Sequence, residues 1–244
     1  MIPSPVDPRS RLAVALDFPA ARPALDFVDR LEDSCHWFKV GMELYYAAGN
    51  HLIETLRGRG FEIFLDLKLH DIPNTVAGAV RSVTRTGASL LTIHASGGEA
   101  MIRAAAEAAA VPYAPKLLAV TVLTSMDAAE LNRVGVSDSP ARQVVRLAQL
   151  ARQAGGPEMG MVCSAEEIAV LRAEVAPAPM LVVPGIRPAG APLGDQRRVA
   201  TPGAAIAAGA SMLVVGRPIT QAAEPAAAAR AILEEIAQAT AQSA

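Results

Sequence analysis

The sequence predicts a single (β/α)8 barrel domain, and three observations carry that reading. Eight short, nearly continuous apolar runs recur along the 244 residues. Eight segments rich in Ala, Leu, Glu and Arg alternate with them, the arithmetic of a closed barrel of about 250 residues. Polar residues gather at or just past the C-terminal ends of the runs, where barrel active sites are assembled. A doubly wound open sheet shares the βα rhythm but would concentrate such residues near one switch point.

The expected strands are 12–16, 37–40, 62–67, 90–94, 117–122, 159–163, 180–183 and 212–215. Each lacks the polar alternation of a half-exposed strand, as expected when both faces are covered. The expected helices are 23–32, 43–57, 75–86, 98–110, 141–154, 165–174, 202–208 and 225–239. Gly87 and Gly209 stand just before strands, where helices close with a left-handed residue. Thr201-Pro202 reads as an N-cap followed by proline at the first helical position. Two connections are long, 124–140 and 185–201, and long loops in compact domains tend to be functional. Residues 1–10 are expected to be a flexible N-terminal extension of the domain that fills 1–244.

Composition narrows the function classes. Apolar residues make up 52% but aromatics only 4%, so the core must be aliphatic. A net charge of −2 without a basic run argues against a nucleic-acid surface. No apolar stretch has the length of a membrane span, and residues 1–11 lack the apolar core of a signal peptide. Cys35 and Cys163 lie in apolar surroundings without metal-ligand spacing, so they read as reduced thiols. A soluble cytoplasmic protein is the expectation.

The chemistry concentrates in Asp66-Leu-Lys-Leu-His-Asp-Ile-Pro-Asn-Thr75, fed by the apolar run Ile63-Phe64-Leu65. Alternation along a strand puts Asp66 and Lys68 on one face and Leu65, Leu67 and Leu69 on the other. Inward charges on an apolar strand are costly unless paired or used. Lys39, in Trp37-Phe38-Lys39-Val40-Gly41, ends the preceding strand; alternating lysines and acids can stay ionised together in a dry pocket. Asp71 could belong to this cluster or cap the next helix. Asp17 could likewise serve the site or cap a turn. His94 reads as a supporting core histidine and His70 as a loop residue.

Two loops near the C-terminus look suited to an anion. Pro184-Gly185-Ile186-Arg187-Pro188 and Asp195-Gln196-Arg197-Arg198 follow the seventh strand, and Val215-Gly216-Arg217-Pro218 the eighth. Glycine lets backbone N–H groups approach an anion, arginine offers a two-pronged fork, and barrels often hold phosphate here.

These blocks together resemble the orotidine 5′-phosphate decarboxylase family, in its shorter bacterial form. Beyond the Asp66–Thr75 segment the resemblance includes Ala15-Leu-Asp17, Phe38-Lys39-Val-Gly41, Thr92-Ile-His94-Ala, Val120-Thr-Val-Leu-Thr124-Ser125, Pro184-Gly-Ile-Arg187-Pro, Asp195-Gln196-Arg197 and Val215-Gly216-Arg217-Pro-Ile219, in family order and across nearly the whole chain. The resemblance implies a homodimer that converts orotidine 5′-phosphate to UMP without metal or organic cofactor. By it, Lys39, Asp66 and Lys68 act in one subunit while Asp71 and Thr75 reach in from the other. It also implies that Asp17 holds ribose hydroxyls, that Thr124 and Ser125 lie near the pyrimidine, and that Arg187, Gln196, Gly216 and Arg217 hold the phosphate.

Two other readings share the scaffold. A magnesium-dependent sugar-phosphate decarboxylase or synthase has a similar Asp-x-Lys-x-x-Asp pattern, but such relatives tend to carry an acid where this chain has Lys39. A non-catalytic barrel that merely binds a phosphate ligand would not need so costly a buried charge array.

Overall fold

Eight parallel strands close on themselves in sequence order, β8 pairing back onto β1. The computed structural model describes residues 7–189 and 199–242. The strands are β1 Leu12–Ala15, β2 Trp37–Gly41, β3 Glu62–Leu69, β4 Leu90–His94, β5 Lys116–Val120, β6 Gly160–Val162, β7 Leu181–Val183 and β8 Met212–Val215. The helices are α1 Ala21–Arg30, α2 Met42–Gly58, α3 Pro73–Thr84, α4 Gly98–Ala108, α5 Ala128–Arg133, α6 Pro140–Gly155, α7 Ile168–Glu174, α8 Pro202–Ala207, α9 Arg217–Thr220 and α10 Pro225–Gln242.

Strand alternation divides the interior into two cores. Leu12, Val14, Phe38, Val40, Ile63, Leu65, Leu91 and Ile93 face outward into the helices. Ala13, Ala15, Phe64, Leu90, Leu118, Val182, Met212 and Val214 face inward and fill the barrel axis as a separate plug. The plug combines one aromatic ring with aliphatic side chains of graded size, from alanine to leucine and methionine. Gly160 belongs to this fit: a Cβ there would come within 2.5 Å of Leu118 Cδ2.

Local chemistry sets the element ends. Ser139 and Thr201 accept from the amides of Arg142 and Ala204, each ahead of a proline in the first turn. Gly87 and Gly209 adopt φ of 74° and 107°, the left-handed closure expected of them. Ser164 and Glu167 form a reciprocal capping box, which opens the 165–174 segment as a 3-10 turn before α7 begins.

The structure revises three expectations. The 124–140 connection contains α5, a helix of six residues started by the Asp127 side chain accepting from Glu130 N; it is too short to show a periodic pattern. A one-turn helix, α9, follows Gly216 directly. Of the extension expected over residues 1–10, residues 1–6 lie outside the described set, but Pro8–Arg11 form a 3-10 turn capped by Asp7. Arg11 anchors this turn to the Ser211 carbonyl (3.3 Å) and the Thr240 hydroxyl (2.8 Å).

Candidate active site

The charged residues stand above the apolar plug, at the C-terminal mouth of the barrel. On β1, Ala13 and Ala15 point inward and Asp17 follows the strand end. On β2, Phe38 and Val40 join the outer core, which leaves Lys39 facing the axis. On β3, Phe64 belongs to the plug and Asp66 stands one pleat above it.

Lys68 does not get its place from plain alternation. Leu65 pairs with Leu91 and Leu69 with Ile93, so β3 carries two extra residues against β4 between these points. Lys68 sits in this bulge with φ of 50°, a left-handed backbone that costs a lysine roughly 1–2 kcal/mol. Its amide, displaced from the ladder, donates to the Thr92 hydroxyl at 2.8 Å. The expectation that Asp66 and Lys68 share a face holds in its result, but a bulge produces it.

The side chains form an alternating row. Lys39 Nζ is 3.3 Å from Asp17 Oδ1 and 3.6 Å from Asp66 Oδ2. Lys68 Nζ is 2.9 Å from both Asp66 oxygens. Thr92 donates to Asp66 Oδ1 at 3.0 Å. Gly41 leaves room for the row: a Cβ there would stand 3.1 Å from Lys39 Nζ. The exposure gradient matters, because the Lys39 and Asp66 side chains are 12% and 13% exposed while Asp17 is 62% exposed. Opposite charges at this spacing attract strongly only where water is scarce, so the Lys39–Asp66–Lys68 segment is coupled more strongly than Lys39–Asp17.

Burial alone would raise the Asp66 carboxyl, but the fields of Lys39 and then Lys68, with hydrogen bonds from Lys68 and Thr92, outweigh it and hold the group below the usual carboxylate value. A depressed folded pKa contributes stability above the unfolded value and loses it as pH falls through the folded one. Asp66→Asn takes the carboxylate from Lys68 and leaves Lys39 with the exposed Asp17, and it is expected to lower stability by about 3 kcal/mol at pH 7. Urea unfolding across a pH series checks this: the gap between wild type and variant narrows as pH drops below about 4.

Lys39, Asp66 and Lys68 line a cavity of ≈ 200 Å³ floored by Phe64, with Val120, Val162, Thr124 and Pro184 among its walls. A larger groove of ≈ 600 Å³ lies between α3 and α4, but its rim carries only surface groups such as Arg81, Arg85 and Glu107. The strand-end cavity is the one that concentrates inward charge against apolar walls, the pattern expected of an active site.

Other expected site residues take different places. Thr124 lines the cavity, while Ser125 beside it is exposed. Asp71 and Thr75 are exposed as well, and Asp71 Oδ1 accepts from Ile72 N at 2.6 Å. Arg187 is buried after Gly185, which has φ of 77°; its amide donates to Ala200 O at 2.9 Å and its Nη1 to Ile186 O at 2.8 Å. Gly216 lies where a Cβ would be 3.5 Å from Ala15 Cβ and Asp17 Oδ2, so the β8 loop packs on the end of β1. Arg217, exposed, opens α9. Gln196, with Asp195, Arg197 and Arg198, lies outside the described residues. His94 stays a supporting residue: burial first, then His70 and Lys68, lower its pKa against the opposing pull of Asp66, and its ring centroid is 5.2 Å from that of His70.

Thr92 is the site residue that the sequence reading passed over. Its signal was a hydroxyl on the inward face of an otherwise apolar strand, two residues before His94.

Comparison with known proteins places this geometry. The family described as orotidine 5′-phosphate decarboxylase / HUMPS matches residues 10–232. The orotidine 5′-phosphate decarboxylase of Halorhodospira halophila is 55% identical over 230 residues, covering 94% of this chain and 97% of that protein. That of Anaeromyxobacter dehalogenans is 53% identical over 225 residues, covering 92% and 97%. The crystal structure of orotidine 5′-phosphate decarboxylase from Lactobacillus acidophilus superposes with a TM-score of 0.81 at 39% identity, covering 93% of this chain and 99% of that one.

Proposed function

The chain belongs to the orotidine 5′-phosphate decarboxylase / HUMPS family, and we propose that it converts orotidine 5′-phosphate to UMP and CO2 with Lys68 as the central group. The observation that carries this reading is the Lys39–Asp66–Lys68 row at the mouth of an apolar cavity. Breaking the bond between C6 and the carboxylate leaves an electron pair in an sp² orbital that the pyrimidine ring cannot readily delocalise. A fixed ammonium beside C6 stabilises that charge, and a preorganised site does so far better than water. The same ammonium then gives its proton to C6, which completes UMP; solvent reprotonates the amine. Arginine would supply charge but release a proton poorly. Asp66, bidentate to Lys68, sets the direction in which the ammonium points.

Lys39 supports the metal-free reading over the sugar-phosphate alternative. Its ammonium lies between Asp17 and Asp66, at the point where a divalent cation bridging those acids would sit. Ultraviolet absorbance tests both readings: the chain consumes orotidine 5′-phosphate equally with and without EDTA. Turnover of a keto-sugar phosphate alone, and only with Mg²⁺, would transfer the assignment to the alternative.

The phosphate lies at the far end of the substrate, where Gly216, Arg217 and Arg187 are its proposed partners, with Gln196 from the same β7 loop. Binding energy from this remote group is realised in the transition state. Arg217→Ala is therefore expected to lower kcat/KM by about 2–5 kcal/mol, the scale of a lost charged hydrogen bond. An unchanged kcat/KM would remove Arg217 from the phosphate site.

The working unit in this reading is a homodimer, with Asp71 and Thr75 completing the neighbour's cavity and Asp17 and Ser125 in their ribose and pyrimidine roles. The exposure of Asp71, Thr75 and the intervening Ile72 (67%) supports it. No described helix is long and apolar enough to cross a membrane. Cys35 and Cys163 are buried thiols outside any disulfide, which fits a reducing cytoplasm, and burial raises the Cys35 thiol to about 11, against the Ser34 hydrogen bond.

A further inference from the structure

We propose that Thr92 is a positioning residue for Lys68: its hydroxyl locks the lysine's backbone into the β3 bulge and, through Asp66, fixes where the ammonium points. Thr92 is fully buried and pairs with Leu118 of β5 on one side. On its other side β3 offers no regular partner, since the ladder jumps from Leu65↔Leu91 to Leu69↔Ile93. The hydroxyl fills that gap. It accepts from Lys68 N at 2.8 Å and donates to Asp66 Oδ1 at 3.0 Å, while both Asp66 oxygens take Lys68 Nζ at 2.9 Å.

The result is a closed ring that runs from the backbone of Lys68 through Thr92 and Asp66 to the tip of the same lysine. Its direction is fixed by chemistry. An amide can only donate, an ionised carboxylate can only accept, and a hydroxyl has a single proton to give. Both Asp66 oxygens accept at full strength only when Asp66 is ionised, the state that the two lysines favour. The ring joins a backbone conformation that lysine seldom adopts to the direction of its charge. Valine at position 92 would keep the volume and lose both bonds.

The inference rests on the proposed decarboxylase reading, and its test separates the two. Steady-state kinetics and crystal structures of Thr92→Val and Thr92→Ser are compared with wild type. In Thr92→Val, kcat is expected to fall about 100-fold with KM within about threefold, and Thr92→Ser to recover to within about threefold of wild type. The crystal structure of Thr92→Val should show Lys68 leaving its positive φ or Nζ leaving Asp66. Should Thr92→Val fail to fold, Thr92→Ala takes its place in the same comparison. Wild-type kcat in the hydroxyl-free variant overturns the proposal. So does equal damage in Thr92→Ser, which would make the methyl group the important part. A wild-type chain that does not decarboxylate defeats the functional reading alone. The structures still decide then, because an unmoved Lys68 in Thr92→Val overturns the ring.

Discussion

Lys68→Ala loses at least about 10⁴-fold in kcat, the product of removing an electrostatic stabiliser and a proton donor in one step. The variant still folds, because Asp66 keeps Lys39 at 3.6 Å and the Thr92 hydroxyl at 3.0 Å. It also still binds UMP, since the phosphate loops and Asp17 are untouched. Calorimetric titration with UMP and single-turnover decarboxylation measure the two halves of this expectation. Lys68→Arg then divides the roles: charge remains, proton delivery does not, and its rate falls between those of wild type and Lys68→Ala. Turnover by Lys68→Ala within tenfold of wild type would be incompatible with the proposed mechanism.

The second large effect is a recovery. In the proposed homodimer, Lys68→Ala and Asp71→Asn are each expected to be inactive alone, the latter by about 100-fold or more. Random mixing of the two subunits returns about one quarter of wild-type activity, because half of the dimers are mixed and each of those has one site with both residues intact. The single chain explains why Asp71 is a candidate for service across an interface. Its carboxylate engages the adjacent Ile72 amide and makes no ion pair with Lys39 or Lys68 among the described residues. The neighbouring Ile72 side chain is 67% exposed, an apolar group suited to cover by a second copy. Absence of recovery in a preparation shown by native mass spectrometry to contain mixed dimers would place Asp71 in its own subunit's site or outside any site.

Much of this was legible in the sequence because barrels write their geometry in simple periods. The strand runs, the left-handed Gly87 and Gly209 and the Thr201-Pro202 cap follow from local sterics and hydrogen bonding. Lys39 and Asp66 follow from alternation along apolar strands. What escaped notice depended on relations between strands. The bulge at Lys68 has no local mark, since no glycine announces its positive φ, and the partner of its amide is a hydroxyl on β4. Thr92 looked inert for the same reason. The six residues of α5 fall below the length at which a helical period can be read. The burial of Arg187 depends on the Ile186↔Ala200 bridge, a pairing that joins two ends of one loop. The partner role of Asp71 came only from family resemblance, because nothing within one chain encodes which subunit a surface carboxylate will serve.

The left-handed backbone at Lys68 also bears on how this protein responds to selection. Glycine takes that conformation with least strain. Glycine at position 68 would relieve about 1–2 kcal/mol of backbone strain but would also remove the ammonium that both Asp66 oxygens accept from, so selection for heat resistance alone has two opposed effects at this one position. In the proposed mechanism the proton-donating Nζ is thus mounted on a strained backbone, and thermostabilising this protein without losing that chemistry means holding position 68 fixed.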